Sequence, residues 1–401
     1  MAAASGSSIG FRKRKRGVLV KCQGDSVVEY KKSFCVCIAT RNEISQPTEW
    51  YVLNISSTKD EDKAKKEMKR KHLLRNIPIP ELRGAYLAFH HDERHPQSGK
   101  KPLPILPLIT QLNKAPKPPS SRYHGACSAV IGSTIYRFGG SRLNRRWSRK
   151  VIYFDSSRPE EGWKRGPDTL CGRVSAATVT LHGKLYVFGG HNPDIHGFFA
   201  EFLDTTSLVE EEGKALGEWS TLPQPPCALG FKGLFAVVLD DVGPYAGKIL
   251  VGSKLTGAIF LYGDTDKLWT SLGSVNFHGR YFSPPIVVDA TIYWISFLQK
   301  KLYAYDFLRE TELSMRIGDF EICSDMNDPR FTSTYINPIL LHLTGDIFCV
   351  VWRGSDACLH CTKLQVSSVG VIDAAVLCCH SYKFDHEVGL IDCLSLNASL
   401  L

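Results

Sequence analysis

Apolar and polar residues alternate along much of the chain beyond residue 122, and the alternation comes in paired runs. Two examples are "ACSAVIGSTIYRFGG" (126–140) and "AATVTLHGKLYVFGG" (176–190), in which a short turn joins two apolar runs. This pattern is typical of a β-hairpin. It predicts five hairpins, with turns at Gly132-Ser133, Gly183-Lys184, Gly247-Lys248, Asp289-Ala290 and Gly345-Asp346. The first and last turns lie 213 residues apart over four intervals, so the period is near 53 residues.

A third short run follows each hairpin, and in four of the five it carries an aromatic residue. The runs are "VIYFD", "AEFLD", "IFLYGD", "LYAYD" and "CLHCTKLQV", and a tryptophan follows the first three. Almost no helical periodicity occurs between residues 122 and 380. Each unit is therefore predicted to form three or four antiparallel strands. Stacking such small sheets radially would bury their faces and leave only short edges, which is the β-propeller architecture.

The double glycine after an apolar strand, followed by an aromatic and a tryptophan, resembles the kelch motif, whose period is about 50 residues. The motif positions are Gly139, Gly140, Tyr153, Trp163, Gly189, Gly190, Phe202, Trp219, Tyr262 and Trp269. The resemblance implies an all-β fold, a kelch-type β-propeller with a basic N-terminal extension. It also implies that the glycines lie where strands pass closely and that the aromatics fill space between blades. Six blades are favoured, with five or seven allowed, because residues 33–58 alternate like strands that complete a blade.

Positive charge is concentrated in the first third of the chain. The net charge is +9, and residues 1–121 hold 23 Lys and Arg against 11 Asp and Glu. We expect a basic disordered tail at 1–32, strands at 33–58, a basic helix and connection at 59–97, a proline-rich linker at 98–121 and the propeller at 122–401. The run Arg12, Lys13, Arg14, Lys15 and Arg16 is either a solvated tail or a nuclear-targeting candidate.

The sequence favours a location in the nucleus or cytoplasm. The N-terminus has no apolar core of signal-peptide length, although an organelle transit peptide stays open. No run approaches the roughly 18 apolar residues of a membrane span. The 13 cysteines are odd in number and scattered, so we expect reduced, buried thiols. The chain is similar to uncharacterised plant kelch-type proteins. Many plant kelch proteins carry an F-box, but residues 1–121 contain no convincing match to one.

Candidate chemistry is sparse. Zinc prefers four converging thiolates or imidazoles, and the segments "CLHC" and "CCH" offer such groups: Cys358, His360, Cys361, Cys378, Cys379 and His380. Adjacent residues of a strand point to opposite faces, so we favour buried free thiols and no metal. No catalytic arrangement is recognised, and we expect neither enzyme activity nor a cofactor.

Three arginines precede the repeats at equivalent places: Arg122, Arg173 and Arg280. In kelch proteins that this chain resembles, arginines at that place can bind acidic peptides, since a guanidinium forms paired hydrogen bonds with a carboxylate. Tyr123 and His124 would share the environment of Arg122. In the alternative interpretation, these arginines bind neighbouring loop carbonyls and hold the blades together.

The sequence therefore predicts a non-enzymatic module, monomeric and without membrane contact, that binds a protein partner through loops of one propeller face. The partner would contribute an acidic segment. Two alternatives stay open: an enzyme or carbohydrate binder that uses the central channel, and nucleic-acid association confined to the basic residues 1–121.

Overall fold

The protein was analysed as a computed structural model. The residues that it describes are 31–40, 49–56, 85–87, 109–111, 124–141, 147–191, 198–211, 214–225, 229–240, 242–277, 283–296, 299, 301–316, 338–353, 358–367, 373–384 and 388–396.

Strands dominate the described residues. The N-terminal strands are β1 (Lys31–Thr40), β2 (Glu49–Ser56), β3 (Ala85–Leu87) and β4 (Ile109–Gln111). The first repeat forms β5 (His124–Ile131), β6 (Thr134–Ser141), β7 (Val151–Asp155) and β8 (Lys164–Gly166). The second forms β9 (Ala177–Leu181), β10 (Lys184–Phe188), β11 (Ala200–Asp204), β12 (Val209–Glu211), β13 (Lys214–Leu216) and β14 (Trp219–Thr221).

The third repeat forms β15 (Leu234–Leu239), β16 (Lys248–Ser253), β17 (Ala258–Gly263) and β18 (Trp269–Ser274). The fourth forms β19 (Ile286–Val288), β20 (Thr291–Ser296), β21 (Lys301–Asp306) and β22 (Thr311–Arg316). The fifth forms β23 (Ile339–Thr344), β24 (Ile347–Arg353), β25 (Cys358–Ser367) and β26 (Asp373–Phe384), and β27 (Val388–Leu396) ends the described chain. Two one-turn 3₁₀ helices lie at Pro159–Glu161 and Gly243–Tyr245.

Each repeat folds into one antiparallel sheet whose strands follow chain order from the centre outwards. The innermost strands of successive sheets contact one another, in the order β5, β9, β15, β19 and β23. This arrangement is a β-propeller whose five blades are formed by residues 124–384; six were favoured from the sequence and five were allowed. The all-β kelch-type fold expected from the sequence is confirmed.

A closing sheet joins the two ends of the described chain. Its strand order is β27-β1-β2-β4, and β27 pairs with β1 from Ser33–Leu396 to Thr40–Val388. β27 also contacts β5 of the first blade and β24 of the fifth. The closing sheet therefore lies between the fifth and first blades, where the sequence placed an additional blade. Such pairing removes the open edge that an incomplete ring would expose.

Three pairings were not foreseen from the sequence. β3 lies in the segment predicted as helix and connection, and it pairs with β26. β4 lies in the predicted linker and pairs with β2. The hairpin of β12 and β13 leaves the second blade, and β13 pairs in parallel with β8 of the first blade. Three-residue strands leave too little alternation to be recognised in a sequence.

Two of the three motif tryptophans, Trp219 and Trp269, lie between blades. Trp219 of the second blade packs edge-to-face on Phe138 of the first, with ring centroids 6.0 Å apart, and its Nε1 donates to the Pro167 carbonyl (2.9 Å). Trp269 repeats this one blade later: it packs on Phe188 at 6.0 Å, and its Nε1 donates to the Pro223 carbonyl (2.8 Å). Because each indole N–H donates a hydrogen bond, these large aromatics pack between blades without an unpaired N–H.

The other motif aromatics line the same contacts. Tyr153 stacks on Tyr136 at 5.8 Å, and Phe202 stacks on Tyr186 at 5.6 Å. Tyr262 of the third blade lies 5.0 Å from Trp269 and 6.4 Å from Tyr186 of the second. Trp163 packs on Phe154 at 5.4 Å. The propeller core is thus a series of aromatic layers, each shared by two sheets.

Strand direction assigns every connection to one of two faces. The loop face carries the connections from second to third strands and those that link blades. The turn face carries the tight hairpin turns between first and second strands, together with the turns between third and fourth strands. The two faces therefore draw their residues from different parts of each repeat.

The glycine pairs allow close backbone contact between blades. Gly139 and Gly140 adopt φ values of 71° and 83°, a region that disfavours other residues. The Gly140 N–H donates to the Arg173 carbonyl (2.6 Å), and a Cβ at Gly139 would lie 2.3 Å from that same oxygen. The connection into the second blade therefore runs directly against the first blade's glycine pair.

We expect Gly139→Ala to destabilise the fold much more than Gly230→Ala. Gly230 also has a positive φ, 76°, but a Cβ there would meet nothing within 4 Å. The control should lose about 1–2 kcal/mol from the backbone conformation alone, and Gly139→Ala at least about 2 kcal/mol more from the clash. Urea unfolding followed by circular dichroism measures both. Equal losses would contradict the close-contact explanation.

Candidate functional site

An apolar and basic patch lies on the loop face of the second and third blades. We call it the blade 2–3 patch, and its residues are His191, Phe198, Phe231, Lys232, Lys254 and Leu255. Leu255 is 76% exposed and Phe198 is 47% exposed, although both are large apolar residues. Exposed apolar residues that cluster, unlike scattered ones, mark interaction surfaces. The patch therefore combines exposed apolar area with two cationic side chains.

Contacts connect five of the six members of the patch, while Phe198 lies on the same face at the end of the loop that leaves β10. His191 packs edge-to-face on Phe231 at 6.1 Å, and Lys232 Nζ lies 5.3 Å from the centre of the same ring. The Lys254 N–H donates to the Gly233 carbonyl (2.8 Å). A Cβ at Gly233 would lie 3.0 Å from Leu255 Cγ, so this glycine lets the two loops approach. The blade-linking connection before β15 and the short loop after β16 thus form one surface.

The patch carries positive charge at neutral pH. Burial lowers the pKa of Lys254 to about 8, so its ammonium is charged at neutral pH but loses its proton far more readily than a free lysine. Burial, followed by the charge of Arg173, lowers the pKa of His191, which is therefore neutral. Lys232 is exposed. At neutral pH the cations of the patch are lysines rather than the histidine.

Arg173 is buried and holds the loop that carries Phe198 of the patch. It is fully buried, and its Nε forms an ion pair with Glu201 Oε1 at 2.6 Å. Its Nη1 donates to the carbonyls of Gly189 and Phe199, and its Nη2 donates to the Phe198 carbonyl (2.9 Å). One guanidinium thus fixes both ends of the loop that presents Phe198.

Arg173 is consequently not a surface residue for a partner, and that interpretation of it is corrected. All its guanidinium nitrogens are engaged inside the protein, and no part of the side chain is exposed. The alternative, in which the arginine binds loop carbonyls and holds blades together, describes this geometry. Sequence alone could not separate the two because the partner, Glu201, lies 28 residues away on another strand.

Glu201 also orders the connection before Arg173. Its Oε2 accepts a hydrogen bond from the Leu170 N–H (2.7 Å), so both carboxylate oxygens are used. The Cys171 thiol lies 3.8 Å from Oε1, and burial raises the pKa of this thiol. Cys171 is therefore a protonated thiol at neutral pH. Arg173, Glu201 and Cys171 form a structural cluster with no activated nucleophile.

The remaining predicted site residues are not brought together by the described structure. Arg122, Tyr123, Arg280 and the basic run Arg12–Arg16 lie outside the described residues. His124 is the first residue of β5, where its backbone pairs with Ser141. Their roles stay predictions.

The cysteine and histidine segments lie on neighbouring strands of the fifth blade. His360 stacks on Trp352 at 4.2 Å, and Cys361 is buried and forms no disulfide among the described residues. The side chains of Cys358, Cys378, Cys379 and His380 lie outside the described residues. Among the described residues, no three histidine, cysteine or acidic side chains are grouped to hold a metal ion. No helix in the described part of the chain is long and apolar enough to cross a membrane.

Aspartates at the ends of third strands are structural residues that the sequence analysis missed. Asp155 Oδ1 accepts from the Ser157 N–H (2.9 Å), Asp204 Oδ1 from the Thr206 N–H (3.0 Å) and Asp306 Oδ1 from the Leu308 N–H (2.9 Å). Such side-chain-to-backbone bonds close turns. The signal was present in "VIYFD", "AEFLD", "IFLYGD" and "LYAYD", each of which ends in aspartate.

Comparison with known proteins agrees with the kelch-type propeller fold. Three proteins of Arabidopsis thaliana that carry the name F-box/kelch-repeat protein are 26%, 27% and 28% identical to the chain over 143, 183 and 158 residues. The matches cover 36%, 46% and 38% of this chain, and they span only 33%, 41% and 35% of the relatives' own lengths. No family model matches the chain.

The relatives and the fold confirm the resemblance to plant kelch-repeat proteins. Together they support a protein-interaction module in general terms. In the described residues, the exposed apolar and basic side chains of the blade 2–3 patch are the features that fit such a role best.

We expect Arg173→Met to lower the free energy of unfolding by about 3–5 kcal/mol, since it leaves the Glu201 carboxylate buried without its cation. The free energy of unfolding of the double variant Arg173→Met with Glu201→Leu should fall by less than that of this single variant, although the Leu170 N–H then lacks its acceptor. Urea unfolding of the two variants gives the comparison. A double variant less stable than the single one would contradict a role based on the ion pair.

Proposed function

We propose that the chain is a non-enzymatic interaction module that binds a protein partner through the blade 2–3 patch. The observation that carries this proposal is the exposure of Leu255 and Phe198 on the same propeller face as Lys232 and Lys254. Apolar side chains at the centre of an interface supply most of its affinity, and charges beside them set specificity. The plant F-box/kelch-repeat relatives support the general class.

The chemistry of the patch favours an acidic partner segment that also carries a large apolar residue. The exposed Lys232 offers three N–H donors to carboxylates and Lys254 adds positive charge, while Leu255 and Phe198 offer apolar contact. The Phe231 ring, whose centre lies 5.3 Å from Lys232 Nζ, helps to position that ammonium. Because the Arg173 cluster fixes the loop of Phe198, little ordering should accompany binding, and preorganisation of this kind favours affinity.

A peptide-display selection on the full chain tests the partner class. We expect enrichment of peptides in which Asp or Glu lies beside a large apolar residue. Lys232→Glu should weaken the best peptide at least tenfold, which is about 1.4 kcal/mol. Lys150→Glu is the matched control, because Lys150 is an exposed loop-face lysine of the first blade outside the patch. Enrichment of basic peptides, or equal loss in both variants, would contradict the proposal.

Binding of the acidic peptide should weaken as pH rises through about 8. The pKa of Lys254 lies at about 8 because of burial, so its ammonium is present below that pH and lost above it. Lys254→Arg keeps its charge throughout and should flatten the profile between pH 7 and 9. Fluorescence anisotropy across this range measures the affinity. A native profile as flat as that of Lys254→Arg would show that Lys254 does not contact the peptide.

A further inference from the structure

The turn face of the third and fourth blades exposes carboxylates, whereas the blade 2–3 patch carries lysines. Its exposed carboxylates are Asp240 and Asp266 in the third blade and Asp289 and Glu310 in the fourth, and none of the four forms an ion pair among the described residues. Two exposed leucines lie in the same turns: Leu268 (64% exposed) and Leu308 (53%). We call these six residues the acidic patch.

Other acidic residues of this face are already neutralised. Asp264 is paired with Lys184 (2.9 Å) and Lys267 (2.6 Å), and Asp306 is paired with Arg309 (3.2 Å). The carboxylates of the acidic patch are therefore additional to those that Lys184, Lys267 and Arg309 neutralise. Exposed leucines among unpaired carboxylates fit a segment that is both basic and apolar.

The chain itself has such a segment, and it precedes β1 in the sequence. The residues "IGFRKRKRGVLV" (9–20) place five consecutive cations between apolar residues. β26 ends at Phe384 and β27 begins at Val388, so β27 starts at the loop face and ends at the turn face. β1 is antiparallel to β27, with Ser33 opposite Leu396, so β1 begins at the turn face. β1 therefore starts, at Lys31, on the face that carries the acidic patch.

We propose that residues 9–20 dock on the acidic patch of their own propeller. Arg12–Arg16 would pair with the four carboxylates, and the flanking apolar residues would contact Leu268 and Leu308. The 15 residues from Arg16 to Lys31 span up to about 50 Å when extended, which suffices to reach the third and fourth blades. Docking would withhold the basic run from any other receptor. The contact is independent of the blade 2–3 patch, which lies on the other face.

Competition between the tethered segment and a free peptide tests this proposal. The probe is a labelled peptide of residues 8–21, and the proteins are the native full chain and a full chain in which Arg12–Arg16 are all replaced by Gln. The peptide should bind the substituted chain at least tenfold more tightly, because a tethered native segment occupies the patch at high effective concentration. Binding should weaken as salt rises from 50 to 300 mM. Equal affinity for the two chains would overturn the proposal.

Charge reversals locate the contact. Asp266→Lys with Glu310→Lys, made in the substituted chain, should weaken the peptide at least tenfold. Glu218→Lys is the matched control, because Glu218 is an exposed carboxylate of the second blade outside the patch. Circular dichroism confirms that each variant is folded. Equal effects of the patch and control variants would overturn the proposal. So would a native chain that forms dimers in light scattering, lost on the patch reversals, since the segment would then dock on a second copy.

Discussion

In the first two repeats, the structure depends on close backbone contact between the blade and the connection that enters the next. The Gly140 N–H donates to the Arg173 carbonyl, and the Gly190 N–H donates to the Phe231 carbonyl, both at 2.6 Å. Only residues without a Cβ allow this approach at positive φ. The contact fixes the path of each blade-linking connection. Because Phe231 and Lys232 lie on such a connection, the position of the blade 2–3 patch follows from the glycine pair of the second blade.

The opposite charge of the two faces follows from how each repeat closes its turns. Carboxylates close turns on the turn face by accepting backbone N–H groups, as at Asp155, Asp204 and Asp306 after third strands and at Asp266 of the acidic patch, so carboxylates accumulate there. Turn closure on the loop face relies on glycine, which carries no charge, and on the buried Arg173–Glu201 pair. Loop-face side chains are therefore free to vary, and lysines and apolar residues lie there. The repeat thus makes one face acidic and leaves the other available for recognition.

The sequence predicted the elements that depend on local pattern. Five hairpins, the kelch resemblance and the placement of Trp219 and Trp269 between blades could all be inferred, since alternation and repeat spacing are visible in one dimension. The burial of Arg173 could not be inferred, because it depends on Glu201 of another strand. The blade 2–3 patch was also missed: Phe198, Lys232 and Leu255 belong to three separate loops, and only the ring of sheets brings them together. The short hairpin of β12 and β13 has too few residues to form a pattern.

The most direct test of whether the loop face binds the partner is hydrogen–deuterium exchange of the full chain. Exchange is measured with and without an acidic, apolar peptide that was selected on the chain. The account predicts slower exchange at residues 189–191, 198–199, 229–233 and 253–257, which form the loop face of the second and third blades. Exchange at the turn-face residues 242–247 and 264–268 should not change. Protection of the turn face instead, or an even change across both faces, would contradict the account.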